Sequence, residues 1–146
     1  MARPTKFNQE IADKICLQLS TSCKGLAKIC EQDGMPSVRT VYNWLSDPEF
    51  AEFLHSYTRA REEQAHFMAE QIIEIADDSA NDNLTTEMGE IENREWVNRS
   101  KIRIEARKWL ASKLLPKKYG DKVDVTTDGE KITNLPPFMK SNESQS

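Results

Sequence analysis

The chain reads as mainly α: a helix-turn-helix head, a long antiparallel helical hairpin, and a short C-terminal β-hairpin. Three observations predict this. Residues 24–45 hold two short apolar-periodic stretches separated by a Gly-Pro break. Two much longer stretches, 49–78 and 95–115, carry apolar residues at helical spacing. Beyond Gly120 that spacing ends, and an Asp-Gly pair stands between short β-branched runs. The expected units are a head at 1–47, central helices at 48–116, β-structure at 117–134 and a disordered tail at 135–146.

In the head, Asn8 is placed to cap a first helix running to about Leu19, with Ile11, Ala12, Ile15, Cys16 and Leu19 on one face. A second helix carries Leu26, Ala27, Ile29 and Cys30. Asp33-Gly34 breaks it, and Pro36 holds the chain out of helix until Ser37 caps a third. That third helix buries Val38, Val41, Trp44 and Leu45. Its other side presents Arg39, Thr40, Tyr42 and Asn43, side chains able to reach base edges and phosphates. The pattern therefore points to a DNA groove. Lys24 and Lys28 are placed to hold phosphates, and Arg3 and Lys6 to form a flexible N-terminal arm. The competing reading is a head that packs on protein, its bases being ordinary solvated surface.

Asp47-Pro48 separates the head from a helix spanning Glu49 to about Asp78, with Phe50, Phe53, Leu54, Tyr57, Met68, Ile72 and Ile75 at helical spacing. At 1.5 Å per residue it is about 45 Å long, more than so small a domain buries alone. Asn81 to Asn93 is polar and reads as a loop or weak hairpin. The second long helix runs from Glu95 to Leu115 and is expected to stop at Pro116. Its apolar residues form two sets: Ile102, Ala106, Trp109, Leu110 and Leu114 on a broad face, and Ile104, Ala111 and Leu115 elsewhere. Two apolar sides require two partners. One is the first long helix; the other is open to a second subunit. Val123, Val125 and Ile132 flank Thr127-Asp128-Gly129-Glu130, and a lone two-stranded hairpin of this kind needs a further sheet to pair with.

Net charge is −4, yet it is sorted by segment: +1 over residues 1–47, −10 over 48–92, +7 over 93–122 and −2 beyond. The basic segment is either a second DNA surface or the neutralising partner of the acidic helix. The second account predicts pairs such as Arg103 and Arg107 with Glu70 and Glu74, leaving Lys117 and Lys118 as the exceptions. No apolar run reaches the ~20 residues that span a bilayer, so the expected compartment is the cytoplasm. Cys16, Cys23 and Cys30, odd in number and within helical patterns, read as reduced apolar packers. Glu63 and His66 have carboxylate-x-x-histidine spacing, but one such motif does not build a di-metal site. No phosphate-cradling Gly loop, nucleophile elbow or zinc spacing is present in the sequence, so neither catalysis nor any cofactor or metal is expected.

Three stretches together resemble the small subunit of phage terminase, the family that recognises DNA for viral genome packaging. They are Gly34–Leu45, then Ala69–Asp77, and most specifically Arg103–Trp109 with Leu115–Lys122. The likeness spans about Arg3 to Val125. It implies a ring-shaped homo-oligomer with heads outside, long helices at the centre and a C-terminal β-structure shared between subunits. On that reading Ile104, Ala111 and Leu115, with Ile72 and Ile75, meet neighbouring subunits. The resemblance also implies double-stranded phage DNA as ligand, the large ATPase/nuclease subunit as partner, and the host cytoplasm as location. The C-terminal region, with Leu135, Phe138 and Met139, would contact the large subunit. Two rivals stand beside it: a dimeric helix-turn-helix transcription regulator, and an adaptor that never binds DNA.

Overall fold

A computed structural model describes residues 3–121. The hairpin expected after Lys122 and the segment with Leu135, Phe138 and Met139 lie outside the described residues. In chain order the elements are α1 (Gln9–Ser20), α2 (Leu26–Cys30), α3 (Val38–Ser46), α4 (Ala51–Asp77), β1 (Asn83–Thr86), β2 (Gly89–Glu92), α5 (Arg94–Leu114) and α6 (Pro116–Tyr119). The boundaries follow local chemistry. The Asn8 side chain accepts from the Ile11 amide at 3.2 Å, and the Ser37 hydroxyl accepts from the Thr40 amide at 3.1 Å. Each satisfies an otherwise orphaned N–H, a contribution of about 1 kcal/mol. Gly34 sits at φ +78°, where an L side chain is strained, and so makes the turn between α2 and α3. Asp47 accepts from the Glu49 amide and starts a 3-10 turn, Pro48–Phe50, that feeds α4.

Two apolar clusters result. The first joins Ala12, Ile15 and Leu19 of α1 to Leu26, Ile29, Cys30, Met35, Val41 and Trp44, and it continues into α4 through Phe53 and Ala60. The head core therefore does not stop at Asp47; the first half of α4 belongs to it. The second cluster is small: Ala65 and Met68 of α4 with Ala111 of α5, edged by Cys23, Leu110, Leu114, Leu115 and Tyr119. Between the two sits Gln64, 0 % exposed. Its Nε2 donates to the carbonyls of Ser22 (2.8 Å) and Lys24 (3.0 Å), and its Oε1 accepts from Arg61 (2.8 Å). A buried amide so satisfied ties the α1–α2 loop to α4.

The faces of α5 divide differently from the expectation, although Leu110 and Leu114 of the broad face do pack against the second cluster. Ala111 is buried at 2 % exposure and Ile104 and Leu115 are half-buried, all within the one chain, while Ile102 (69 %) and Trp109 (62 %) face solvent. Ile75, expected at a subunit contact, is buried in the same chain, and Ile72 is half-buried. The physical reason is size. Ala65 and Ala111 let the two helix axes approach closely, which an indole at that level would prevent. Leu54 and Ala27, expected to pack, are also exposed. Pro116 does not simply end the helical region; it stands at the first position of α6, where its missing N–H costs nothing.

Residues Asn81 to Asn93 contain an antiparallel two-stranded hairpin, with Asn83 opposite Glu92 and Thr86 opposite Gly89. All its strand residues are exposed. The expected ion pairs between α4 and α5 do not form: among the described residues every salt bridge is local, and Arg107 reaches Gln71 (3.2 Å) instead.

Candidate nucleic-acid interface

The third head helix is held from below and bare above. Val41 and Trp44 are fully packed, and the Trp44 indole N–H donates to the Thr5 carbonyl at 3.3 Å. Phe7 stacks on Phe50 with ring centroids 4.1 Å apart and meets Trp44 edge-on at 5.3 Å. These contacts correct the flexible-arm reading. The segment carrying Arg3 and Lys6 is tied to the head through Thr5 and Phe7, with both basic side chains exposed. Reciprocal hydrogen bonds between Gln18 and Gln32, at 3.0 and 2.6 Å, brace α1 against the turn after α2. The scaffold under α3 is thereby held from several sides.

On the outer side, Arg39 and Asn43 are exposed one helical turn apart, and Tyr42 beside them is exposed as well. The structure brings these together as one face. Thr40 is different: it is half-buried, and its hydroxyl lies 2.9 Å from that of Ser37. It shapes the helix start and keeps little free hydrogen-bonding capacity.

The two lysines of the preceding helix also differ. Lys24 is exposed just before α2, and its backbone is fixed by Gln64 at the carbonyl and by the Ser22 hydroxyl at the amide. Lys28 donates to Glu31 at 2.7 Å, and that hydrogen bond and charge raise its pKa above the ordinary lysine value. Arg3 is close enough to Cys30 for its charge to oppose the rise that burial imposes on that thiol. Gln64 and the Thr5–Phe7 anchor went unread in the sequence. Their partners lie about forty residues away, beyond any local pattern.

Among the described residues no group of His, Cys, Asp and Glu side chains is arranged to hold a metal. His66, considered above for its spacing, pairs instead with the Tyr119 hydroxyl at 2.8 Å. No helix of the described residues is long and apolar enough to cross a membrane.

Residues 7–126 match the family described as Bacteriophage Sf6, terminase small subunit-like. No curated protein matches the chain. Similar solved structures include crystal structures of three single-residue variants of terminase small subunit gp1 from the bacterial virus Sf6. One is 32 % identical, covers 97 % of this chain and 100 % of that one, and has a TM-score of 0.67. The other two are 34 % and 35 % identical, each covering 85 % of this chain and 89 % of that one, with TM-scores of 0.65 and 0.66. A match over this extent agrees with the mainly helical architecture, and the chain belongs to the Sf6-like family of phage terminase small subunits.

Proposed function

We propose that this terminase small subunit recognises double-stranded phage DNA through α3 at the start of genome packaging and modulates the large ATPase/nuclease subunit, without catalysing a reaction itself. The observation that carries the DNA assignment is the bare Arg39/Asn43 face on a helix locked from behind by Val41 and Trp44. Arg39 and Asn43 read base edges. Lys24, Arg3 and Lys6 hold phosphates, and Lys28 joins them once DNA competes with Glu31. Thr40 acts at the helix N-terminus, through the cap it shares with Ser37.

The head region, residues 1–47, carries a net charge of only +1, so a single head gains little from counterion release. Repetition around a homo-oligomeric ring compensates, because one bound head raises the effective concentration of the next. The C-terminal segment, with Leu135, Phe138 and Met139, supplies the large-subunit contact on this reading.

Arg39→Ala should weaken binding to phage DNA by about 1–3 kcal/mol while leaving the mass of the assembly unchanged. Fluorescence anisotropy with cognate DNA, alongside light scattering, reads both. Unchanged affinity would remove α3 from the interface. A stable dimer preferring palindromic DNA would favour the transcription-regulator alternative.

A further inference from the structure

The first half of α4 packs under the head and carries a cation whose partners are all neutral. Arg61 is half-buried, with Tyr57 and Gln64 about one helical turn before and after it on the same face. Its Nε donates to the Tyr57 hydroxyl at 3.3 Å and its Nη1 to the Gln64 Oε1 at 2.8 Å. The guanidinium carbon lies 5.5 Å from the Tyr57 ring centroid. Burial raises the Tyr57 pKa above the ordinary phenol value, against the pull of the Arg61 charge, so the hydroxyl stays protonated. Lys28 and Arg59 each face a glutamate, whereas Arg61 joins no ion pair among the described residues. A partly desolvated cation of this kind is completed by an anion. The nitrogen left to bind one is Nη2, which has no partner among the described residues and is not shut away from solvent.

The same two partners place that nitrogen between the parts of the head assigned above to DNA. Gln64 bonds through Nε2 to the Ser22 and Lys24 carbonyls, so Arg61 stands beside the loop that bears the Lys24 side chain. On the other flank is Tyr42 of α3, exposed next to Asn43. It is close enough to Tyr57 for its phenol to oppose ionisation of that residue. Tyr42, Tyr57, Arg61, Gln64 and Lys24 therefore form one line from the outer face of α3, across α4, to the start of α2. Two of the three guanidinium nitrogens are already fixed, so little freedom is lost when the third takes a ligand.

We infer that Arg61 binds a backbone phosphate of the DNA read by α3, so that the interface extends beyond the helix-turn-helix onto α4. This rests on the DNA reading proposed above and adds a contact to it. A guanidinium–phosphate hydrogen bond is charge-assisted, and here it would replace the counter-ion that the fold does not supply. Such a contact carries no sequence information; it fixes how the head lies on the duplex. Because α4 is one continuous helix from Ala51 to Asp77, a phosphate held at Arg61 also fixes the duplex relative to the long hairpin.

The test is the salt dependence of DNA binding by the full chain. Anisotropy follows a labelled duplex of phage sequence, and an unrelated duplex of equal length, between about 50 and 200 mM salt. Arg61→Gln should weaken both duplexes alike and lower the slope of log affinity against log salt by about 0.9 per bound head. Its deficit against the parent should then shrink about threefold across that range. Arg61→Lys keeps the charge and should keep the parental slope. An unchanged slope for Arg61→Gln overturns the proposal and leaves Arg61 as a brace for Gln64. Should circular dichroism show that Arg61→Gln does not fold, labelling of the parent with an arginine-specific dicarbonyl decides. Read by peptide mass spectrometry, Arg61 should react more slowly once duplex is added, while Arg59, paired with Glu63, reacts as before. Equal rates at Arg61 with and without duplex overturn the contact. A parent that binds neither duplex sinks the DNA reading itself. A lowered slope for Arg61→Gln together with full affinity for Arg39→Ala would instead remove α3 and leave the α4 contact standing.

Discussion

In the head, α1, α2, α3 and the first half of α4 enclose Ile15, Leu19, Ile29, Met35, Val41, Trp44 and Phe53, so that each helix has a buried side. In the hairpin, the second half of α4 and the whole of α5 enclose little beyond Ala65, Met68, Ala111 and Ile75. Both regions are helical to a similar degree, but the stability of the first comes from its own interior. The second leaves Trp109 and Ile102 outside, while Trp96, Ile104, Leu110 and Leu114 are half-buried. A long helix pair depends on that shared contact, since propensity alone sustains helices weakly in water. The head encloses a continuous core, whereas the hairpin shares a narrow strip of small and half-buried side chains.

The comparison is broken most directly at Trp44. Trp44→Ala should destabilise the head by about 3–5 kcal/mol, because it empties a site shared by Phe7, Phe53 and the Thr5 carbonyl. Denaturant titration would show this. A loss confined to a few tenths of a kcal/mol would mean the head has no core of the kind described. A smaller effect should follow at the junction. Gln64→Leu leaves the Ser22 and Lys24 carbonyls without their donor and should cost about 1–3 kcal/mol, with DNA affinity falling alongside as the loop bearing Lys24 loosens. If stability falls but affinity holds, Lys24 takes no part in binding.

The smallest expected effect is with pH. Burial, aided by the Asp13 charge, pushes the Cys16 thiol up to about 11 from its usual value near 9. The folded chain then holds a proton that the unfolded chain releases. Stability present below pH 9 is therefore lost progressively between about 9 and 11. Burial likewise raises Tyr57, so Cys16→Ala should flatten the alkaline fall of the thermal midpoint in part and not abolish it. An identical pH profile for that variant would place the alkaline sensitivity elsewhere.

What was legible in the sequence was local. Asn8 and Ser37 announced their helices because a cap acts on an amide three residues away. Gly34 and Pro36 marked the turn for equally local reasons. The side of α5 that packs was legible only in part: Leu110 and Leu114 pack, but Ile102 and Trp109 do not, because apolar bulk was read as burial when closeness of approach decided it. Two alanines, one on each helix, outweigh an indole at that level. The anchoring of the N-terminal segment and the role of Gln64 were hidden for another reason. Both depend on single hydrogen bonds or rings meeting partners far along the chain. Charge sorting between α4 and α5 was visible, but its expected outcome was not realised. Arg107 turns to Gln71 instead, and Glu70, Glu74 and Arg103 stay exposed without an ion-pair partner among the described residues.

The helix α4 runs unbroken from Ala51 to Asp77, with one end in each cluster. No joint exists along it at which a head can swivel, so the azimuth of α3 about the hairpin is a matter of helical phase. Adding one residue between Ala60 and Gln64 would turn the head by about 100° and advance it by about 1.5 Å, whereas adding seven would return it nearly to its original bearing. The direction in which each α3 faces is thus written as a number of residues along one rod.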